Sequence, residues 1–205
     1  MLGVSDYGAF VLAFILLLFL PGPGNLALVH ATGLGGLRGG LASIAGLLLG
    51  DQVLMWLTVA GVAALLQSRP ALFGGLQAVG AAYLAWMGWR MWRPRVGGAG
   101  PIRVRAGRYF ADTLLITVLN PKSALFYFAF FPQFIDPQQH QGILTFAFMA
   151  VTVIALGFVY CLGVVLLTHT LAQRLRARPH WTLWLNRLAG VCLMGFGLRL
   201  LWPAS

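Results

Sequence analysis

The chain has 205 residues, of which 60% are hydrophobic and only 9% are charged, and its mean hydropathy is +0.84. Soluble domains carry about 25% charged residues, so this composition excludes a soluble enzyme, a disordered regulator and a secreted disulfide scaffold. A formal charge of +10 would indicate nucleic-acid binding in a soluble protein, whereas in a membrane protein its meaning depends on where the charges lie.

Apolar segments of spanning length account for nearly the whole chain. A transmembrane helix needs about 20 apolar residues, and the sequence predicts six, at Tyr7–Val29, Leu41–Leu66, Leu72–Trp92, Tyr109–Phe131, Ile143–Thr168 and Leu183–Trp202. A Gly-rich turn at Gly33–Gly40 separates the first two helices. The N-terminal segment lacks the basic region of a signal peptide, so we expect its first helix to be retained. We therefore expect an all-α integral membrane protein with a single transmembrane domain.

The basic residues between these helices are distributed unevenly. The first, third and fifth connections hold Arg38, Arg93, Arg95, Arg103, Arg105, Arg108, Arg174, Arg176 and Arg178, whereas the opposite face has Arg69 and little else. Cytoplasmic loops of membrane proteins are enriched in Lys and Arg, so we expect these connections in the cytoplasm and both termini outside it. We interpret the Arg-rich linker, the third connection at Arg93–Arg108, as this topology signal, with some attraction to lipid head groups, rather than as a nucleic-acid site.

Two proline motifs interrupt predicted helices. LPGPGN (Leu20–Asn25) lies in the first helix and LNPKS (Leu119–Ser123) in the fourth. Proline removes a helix donor and clashes with the preceding turn, so we expect both helices to be broken near mid-membrane. Irregular backbone at that depth is tolerated only beside protein or a watery cavity. Asn25 and Asn120 are expected to cap the helices that resume, whose N-termini attract anions such as carboxylates.

The two breaks occur at similar depths in helices that enter the membrane from opposite sides. This pattern predicts two three-helix repeats of inverted topology, about 1–93 and 109–205, joined by a cytoplasmic linker at about 94–108. Broken helices that meet near the midplane form the substrate sites of many secondary transporters. The alternative is that each proline is only a structural kink, which would explain one break better than a matched pair.

Asp51 and Lys122 lie deep in the predicted membrane, where an ionised side chain costs about 2.5–3.5 kcal/mol. Asp51 is expected to bind either a coupling proton or a substrate ammonium group, and the alternative is a structural ion pair with Lys122. Asp112 follows Arg108 by four residues, a spacing typical of an interfacial ion pair, and a role in the proton path is its second interpretation. We expect no metal and no cofactor, because no close group of His, Cys and carboxylates has ligand spacing.

Three stretches, Leu20–Asp51, Gly80–Arg93 and Asn120–Ile135, resemble the LysE/RhtB family of amino-acid exporters. The resemblance covers most of the chain and includes the PGP and NPK motifs in the first and fourth helices. It implies a non-enzymatic exporter of amino acids or their derivatives in the bacterial inner membrane, driven by the proton gradient, with periplasmic termini. Asp51 matches a common acidic position of that family, whereas many relatives have an uncharged residue at the position of Asp112.

The motifs and the resemblance together predict a substrate site made of Pro21, Gly22, Pro23, Gly24, Asn25, Asn120, Pro121, Lys122, Ser123 and Phe126, with Asp51 and Asp112 as proton-coupling residues. Tyr127 is a further candidate for the cavity wall. Since Asp51 is the one deep acidic residue, a small neutral amino acid is expected as substrate. Glycine-rich helix faces are compatible with a homodimer in the lipid membrane.

Three other classes of membrane protein are weighed against this interpretation. A channel or a purely structural membrane protein does not explain two inverted breaks together with a buried acid. An exporter of ions or metals from the same superfamily is disfavoured by the absence of Glu and of clustered soft ligands. A membrane thiol-redox carrier requires a cysteine pair beside the helix-breaking prolines. Cys161 and Cys192 instead lie alone in the fifth and sixth helices, where we interpret them as apolar packing residues.

Overall fold

The computed structural model describes residues 3–19, 22–68, 104–135 and 142–171, together with residues 75, 78–83, 85, 86, 89, 191 and 194. Within this part of the chain the secondary structure is helical, apart from short connections and one isolated bridge between Val4 and Ile135. The helices are α1 (Tyr7–Leu18), α2 (Pro23–Ser68), α3 (Tyr109–Val118), α4 (Pro121–Phe130) and α5 (Ile143–Leu171), and a 3-10 turn at Phe131–Phe134 follows α4. The all-α prediction is confirmed for the described residues.

The described helices are those of a multi-pass membrane protein. Pro23–Val62 and Ile143–Thr170 are long and apolar enough to cross a membrane, and α1 is a shorter apolar helix. The pair Tyr109–Val118 and Ser123–Phe134, bent by 57°, meets the same criteria as one broken span. Nearly all of the predicted sixth helix and about half of the third lie outside the described residues, so the count of six and the inverted repeat remain predictions.

Helix α2 folds back on itself at Gly36. This residue has φ 58° and ψ −148°, a conformation that glycine adopts without a side-chain penalty. The two arms, residues 23–35 and 37–68, then lie side by side, because a Cβ on Gly24 would be 3.2 Å from the Leu47 side chain. The reversal therefore takes one residue, and the predicted turn over Gly33–Gly40 is too long because its other residues are helical.

The second arm of α2 runs parallel to α3 at very short range. A Cβ on Gly46 would meet the carbonyl oxygen of Phe110, and one on Gly50 would lie 2.8 Å from the Cβ of Thr117. Glycines four residues apart allow such close approach of two helix backbones. Gly46 and Gly50 therefore let α3 pack directly against the backbone of this arm.

Helix α5 packs against the same arm in the opposite direction. Gly40, near the start of the arm, faces Val165, and Leu48, two turns later, faces Gly157. The sequence numbers rise along one helix as they fall along the other, so the two helices are antiparallel. This arrangement brings α5 beside the first break as well.

A cluster of phenylalanine rings joins α1 to α4 and the 3-10 turn. The ring of Phe10 lies 5.4 Å from that of Phe134, and the ring of Phe14 lies 6.4 Å from that of Phe130. The Ser5 N–H also donates to the Phe134 carbonyl oxygen at 3.0 Å. The two helices are therefore antiparallel, and the end of α1 lies beside the start of α4. The fold thereby places the two helix breaks next to each other.

Candidate functional site

The first predicted break is present. Helix α1 ends at Leu18 and α2 begins at Pro23, while Leu20 and Pro21 lie outside the described residues. Proline suits the first position of a helix, because its fixed φ is helical and that position needs no N–H. Pro23 thus restarts the helix immediately after the interruption.

Asn25 bridges the break from inside the first turn of α2. The Leu26 N–H donates to the Gly22 carbonyl oxygen at 3.1 Å, so Gly22 holds the cap position and the prediction that Asn25 caps this helix is wrong. The Asn25 Nδ2 instead donates to the Leu18 carbonyl oxygen at 3.1 Å and to the Tyr160 hydroxyl at 3.2 Å. Carbonyl groups at a helix end lack intrahelical partners, and Asn25 provides one while connecting α1, α2 and α5.

The second break follows the prediction more closely. Helix α3 ends at Val118 and α4 begins at Pro121. The Asn120 carbonyl oxygen accepts the Ala124 N–H at 3.1 Å, so Asn120 is in the cap position that the sequence predicted. Its Nδ2 donates to the Ser123 Oγ at 2.9 Å. Lys122 lies in the first turn of α4, and the side chains of Lys122 and Pro121 are outside the described part of the structure.

One cavity of about 100 Å³ lies where the two breaks meet. A cavity needs roughly 10–15 Å³ to hold one water, so this one has room for a small organic molecule. Its lining combines the polar or small residues Gly22, Gly24, Asn25, Asp51, Thr117, Asn120, Ser123, Tyr127 and Cys161 with the apolar residues Phe14, Leu17, Leu18, Leu47 and Phe126. The structure thus brings together most of the predicted site residues whose side chains it describes.

The first turns of two helices reach this cavity. Gly24 and Asn25 belong to the first turn of α2, and Ser123 belongs to the first turn of α4. A helix N-terminus carries a partial positive charge from N–H groups that have no intrahelical acceptor. This end of the cavity therefore favours a negatively charged group.

Asp51 reaches the cavity from the second arm of α2. Its partly buried carboxyl group lies beside the Tyr127 hydroxyl on α4. Among the side chains that the structure describes, the ion pairs involve Asp112 and not Asp51. A carboxylate in this position attracts a proton or a cationic ligand.

Asp112 is held by the loop that precedes α3. Its carboxylate accepts hydrogen bonds from the Arg105 Nη2 at 2.8 Å, the Arg105 Nε at 3.1 Å and the Arg105 backbone N–H at 2.9 Å. The side-chain hydrogen bonds to Asp112, together with its negative charge, raise the pKa of the Arg105 guanidinium above its ordinary value. The predicted partner, Arg108, is farther away at 3.9 Å. Asp112 is 5% exposed and is not among the residues that line the cavity.

Some cavity residues were missed by sequence reasoning. Leu17 and Leu18 lie in the last turn of α1, and Thr117 lies in the last turn of α3. Each precedes a predicted break by a few residues, so extending both motifs by one turn would have identified them. Cys161 is 1% exposed and packs with Leu28, as expected of an apolar packing residue, but it also contributes to the cavity wall.

Comparison with known proteins gives a consistent result over nearly the whole chain. Residues 15–203 match the family model described as LysE type translocator. A membrane protein of Pseudomonas aeruginosa is 34% identical over 207 residues, which cover 97% of this chain and 96% of that protein. Leucine efflux proteins of Enterobacter sp. (strain 638) and Klebsiella pneumoniae are 33% and 32% identical over 97% of this chain, and these matches cover 96% and 95% of those proteins. No solved structure matches the chain significantly.

Proposed function

The chain belongs to the LysE type translocator family, and we propose that it is a secondary transporter that exports a small neutral amino acid in exchange for protons. Membership of a translocator family indicates transport rather than catalysis of a reaction. Leucine is the first substrate to test, because two of the relatives are leucine efflux proteins.

The cavity between the two breaks is the observation that carries this proposal. A free amino acid has a carboxylate and an ammonium group, and the cavity offers a complement to each of them. The first turns of α2 and α4 attract the carboxylate, with Lys122 as a further positive group in the proposal. Asp51 attracts the ammonium group, and an uncharged side chain fits beside Phe14, Leu47 and Phe126.

Asp51 can also explain the exchange with protons. Its carboxyl group binds either a proton or the substrate ammonium group, and the two cannot occupy the same oxygen atoms together. An amino acid that binds from the cytoplasm therefore displaces the proton, and a proton that enters from outside displaces the amino acid. Under this proposal one carboxyl group serves both of the roles considered for Asp51, and Asp112 serves mainly to hold the loop at Arg105.

The proposed architecture is that of six helices in two inverted repeats within the bacterial inner membrane, with both termini periplasmic. The antiparallel packing of α1 against α4 supports it, because corresponding helices of inverted repeats run in opposite directions. Arg105 and Arg108 immediately before α3 support a cytoplasmic location for that loop. Rocking of the two repeats about the cavity would then open it to each side in turn.

Counterflow in proteoliposomes tests this function. Purified protein is reconstituted, the vesicles are loaded with unlabelled leucine, and labelled leucine is added outside. We expect saturable uptake of the label, competition by other small neutral amino acids, and a stronger net flux when a pH gradient is imposed. Folded protein that exchanges none of the common amino acids would contradict the proposal.

A further inference from the structure

Thr117 carries a buried hydroxyl group at the wall of the cavity. Its side chain lies in the last turn of α3, is 3% exposed and lines the space between the two breaks. Among the residues that the structure describes, the Thr117 Oγ1 has no hydrogen-bond partner. Because an unpaired buried hydroxyl is unfavourable, a molecule in the cavity is the natural partner for this group.

Five other helical threonines that the structure describes satisfy their hydroxyl groups within the protein. The usual solution is a hydrogen bond to the carbonyl oxygen four residues earlier. It occurs at 2.7–2.9 Å in Thr32, Thr58, Thr152 and Thr170. Thr113, one turn before Thr117, pairs with the Ser43 hydroxyl at 2.7 Å. Thr117 departs from this behaviour at the one place where its helix reaches the cavity.

The surroundings of Thr117 fix the direction of its hydroxyl group. The Cβ and Cγ2 atoms of Thr117 each lie 2.8 Å from the position that a Cβ on Gly50 would take, so the methyl group packs on the second arm of α2. The Oγ1 lies 3.7 Å from the corresponding position at Gly24, in the first turn of α2. The hydroxyl is therefore on the side of the cavity where helix N-termini attract an anion.

We infer that Thr117 is a substrate ligand whose hydroxyl donates a hydrogen bond to the carboxylate of the bound amino acid. This assignment rests on the proposed function and adds to it a side-chain donor beside the first turns of α2 and α4. It makes Thr117 a determinant of substrate affinity, selecting molecules that present a negatively charged group at this end of the cavity.

Three variants separate the hydroxyl from the shape of the side chain. Thr117→Val replaces the hydroxyl by a methyl group of similar size, and Thr117→Ser keeps the hydroxyl. Thr58→Val is the matched control, because Thr58 is also fully buried but donates to the Leu54 carbonyl oxygen. The half-saturating concentration of leucine and the maximal rate are measured by counterflow, and folding is measured by a thermal melt.

We expect Thr117→Val to raise the half-saturating concentration about 10- to 100-fold, the effect of losing a hydrogen bond to a charged group. The half-saturating concentrations of Thr117→Ser and Thr58→Val should each stay within about threefold of the wild-type value. If Thr117→Val raises the half-saturating concentration by less than about tenfold, the hydroxyl bonds at most to an uncharged group of the substrate. That result would overturn the carboxylate assignment. An equal rise of the half-saturating concentration in Thr117→Val and Thr117→Ser would also overturn it, because the effect would then not depend on the hydroxyl group.

The wild-type measurement separates this inference from the function on which it rests. If the folded wild-type protein exchanges no amino acid, the proposed function fails, and the Thr117 assignment fails with it. If the wild-type protein exchanges leucine and Thr117→Val has the same half-saturating concentration, the Thr117 assignment alone is overturned.

Discussion

The hydroxyl of Tyr127 lies beside the carboxyl group of Asp51 in the wall of the cavity. The Tyr127 side chain is 2% exposed, and its ring stacks on that of Phe131 at 5.6 Å. The Tyr127 hydroxyl therefore approaches Asp51 from a fixed direction. The acidic group proposed to exchange a proton for a substrate thus has its neighbouring hydroxyl group on α4, the helix that follows the second break.

Removing this hydroxyl should impair transport without unfolding the protein. We expect Tyr127→Phe to slow leucine counterflow roughly tenfold, because the carboxyl group loses the hydrogen-bond donor beside it. Tyr7→Phe is the matched control, since the Tyr7 hydroxyl pairs with the Thr152 Oγ1 at 3.3 Å outside the cavity lining. A wild-type rate in Tyr127→Phe would show that the contact has no functional role.

Asn25 should be more important for stability than either of its partners alone. Asn25→Leu removes both donors at the break and leaves the Leu18 carbonyl group without this partner, which should lower the free energy of unfolding by about 1–3 kcal/mol. Tyr160→Phe removes only the acceptor at 3.2 Å and should cost about 1 kcal/mol. Thermal melts followed by tryptophan fluorescence compare the two. A larger loss in Tyr160→Phe than in Asn25→Leu would contradict the bridging role.

The contact between the second arm of α2 and α3 should not tolerate a side chain at Gly46. A Cβ there would meet the backbone carbonyl oxygen of Phe110, which cannot move without shifting the helix, so Gly46→Ala should cost about 1–3 kcal/mol. The control is Gly61→Ala in the same arm, whose Cβ would make an ordinary 3.6 Å contact with Phe128. We expect that variant to be neutral or slightly stabilising because alanine is the better helix former. Equal melting temperatures in the two variants would be inconsistent with this packing.

The Arg105–Asp112 pair should affect stability rather than coupling to protons. Asp112→Asn and Arg105→Gln each weaken the bonds at 2.8 Å and 3.1 Å and should lower the melting temperature. The exposure of the Arg105 side chain to solvent keeps this effect small. Both variants should retain export driven by a pH gradient when rates are scaled to folded protein. If a pH gradient no longer drives export in Asp112→Asn but still drives it in Arg105→Gln, Asp112 lies in the proton path instead.

Both helix breaks could be predicted because proline acts locally. Pro23 and Pro121 each begin a helix, and the interruptions follow from the missing N–H and fixed φ of that residue type. The residue that fills the cap position depends on where the helix restarts, and this explains why Asn120 was identified correctly and Asn25 was not.

Contacts between helices were harder to predict than the breaks. Arg105 lies in the loop before α3, so its pairing with Asp112 does not follow the i,i+4 spacing of a helix. That spacing predicts Arg108 as the partner instead. The sequence does not distinguish Gly36, where the chain reverses, from the neighbouring glycines that serve helix packing. Thr117 carries no sequence signal of its own, because its significance lies in a hydroxyl without a partner among the described residues, which only the packing reveals.

The competition between proton and substrate at Asp51 is the central claim, and proton release on substrate binding tests it most directly. Leucine is added to purified wild-type protein in weakly buffered detergent solution, and the released protons are followed with a pH indicator at a series of starting pH values. We expect release that approaches one proton per protein where Asp51 is protonated beforehand, and none from Asp51→Asn. Saturating leucine that releases no proton at any starting pH, or equal release from Asp51→Asn, would contradict the account.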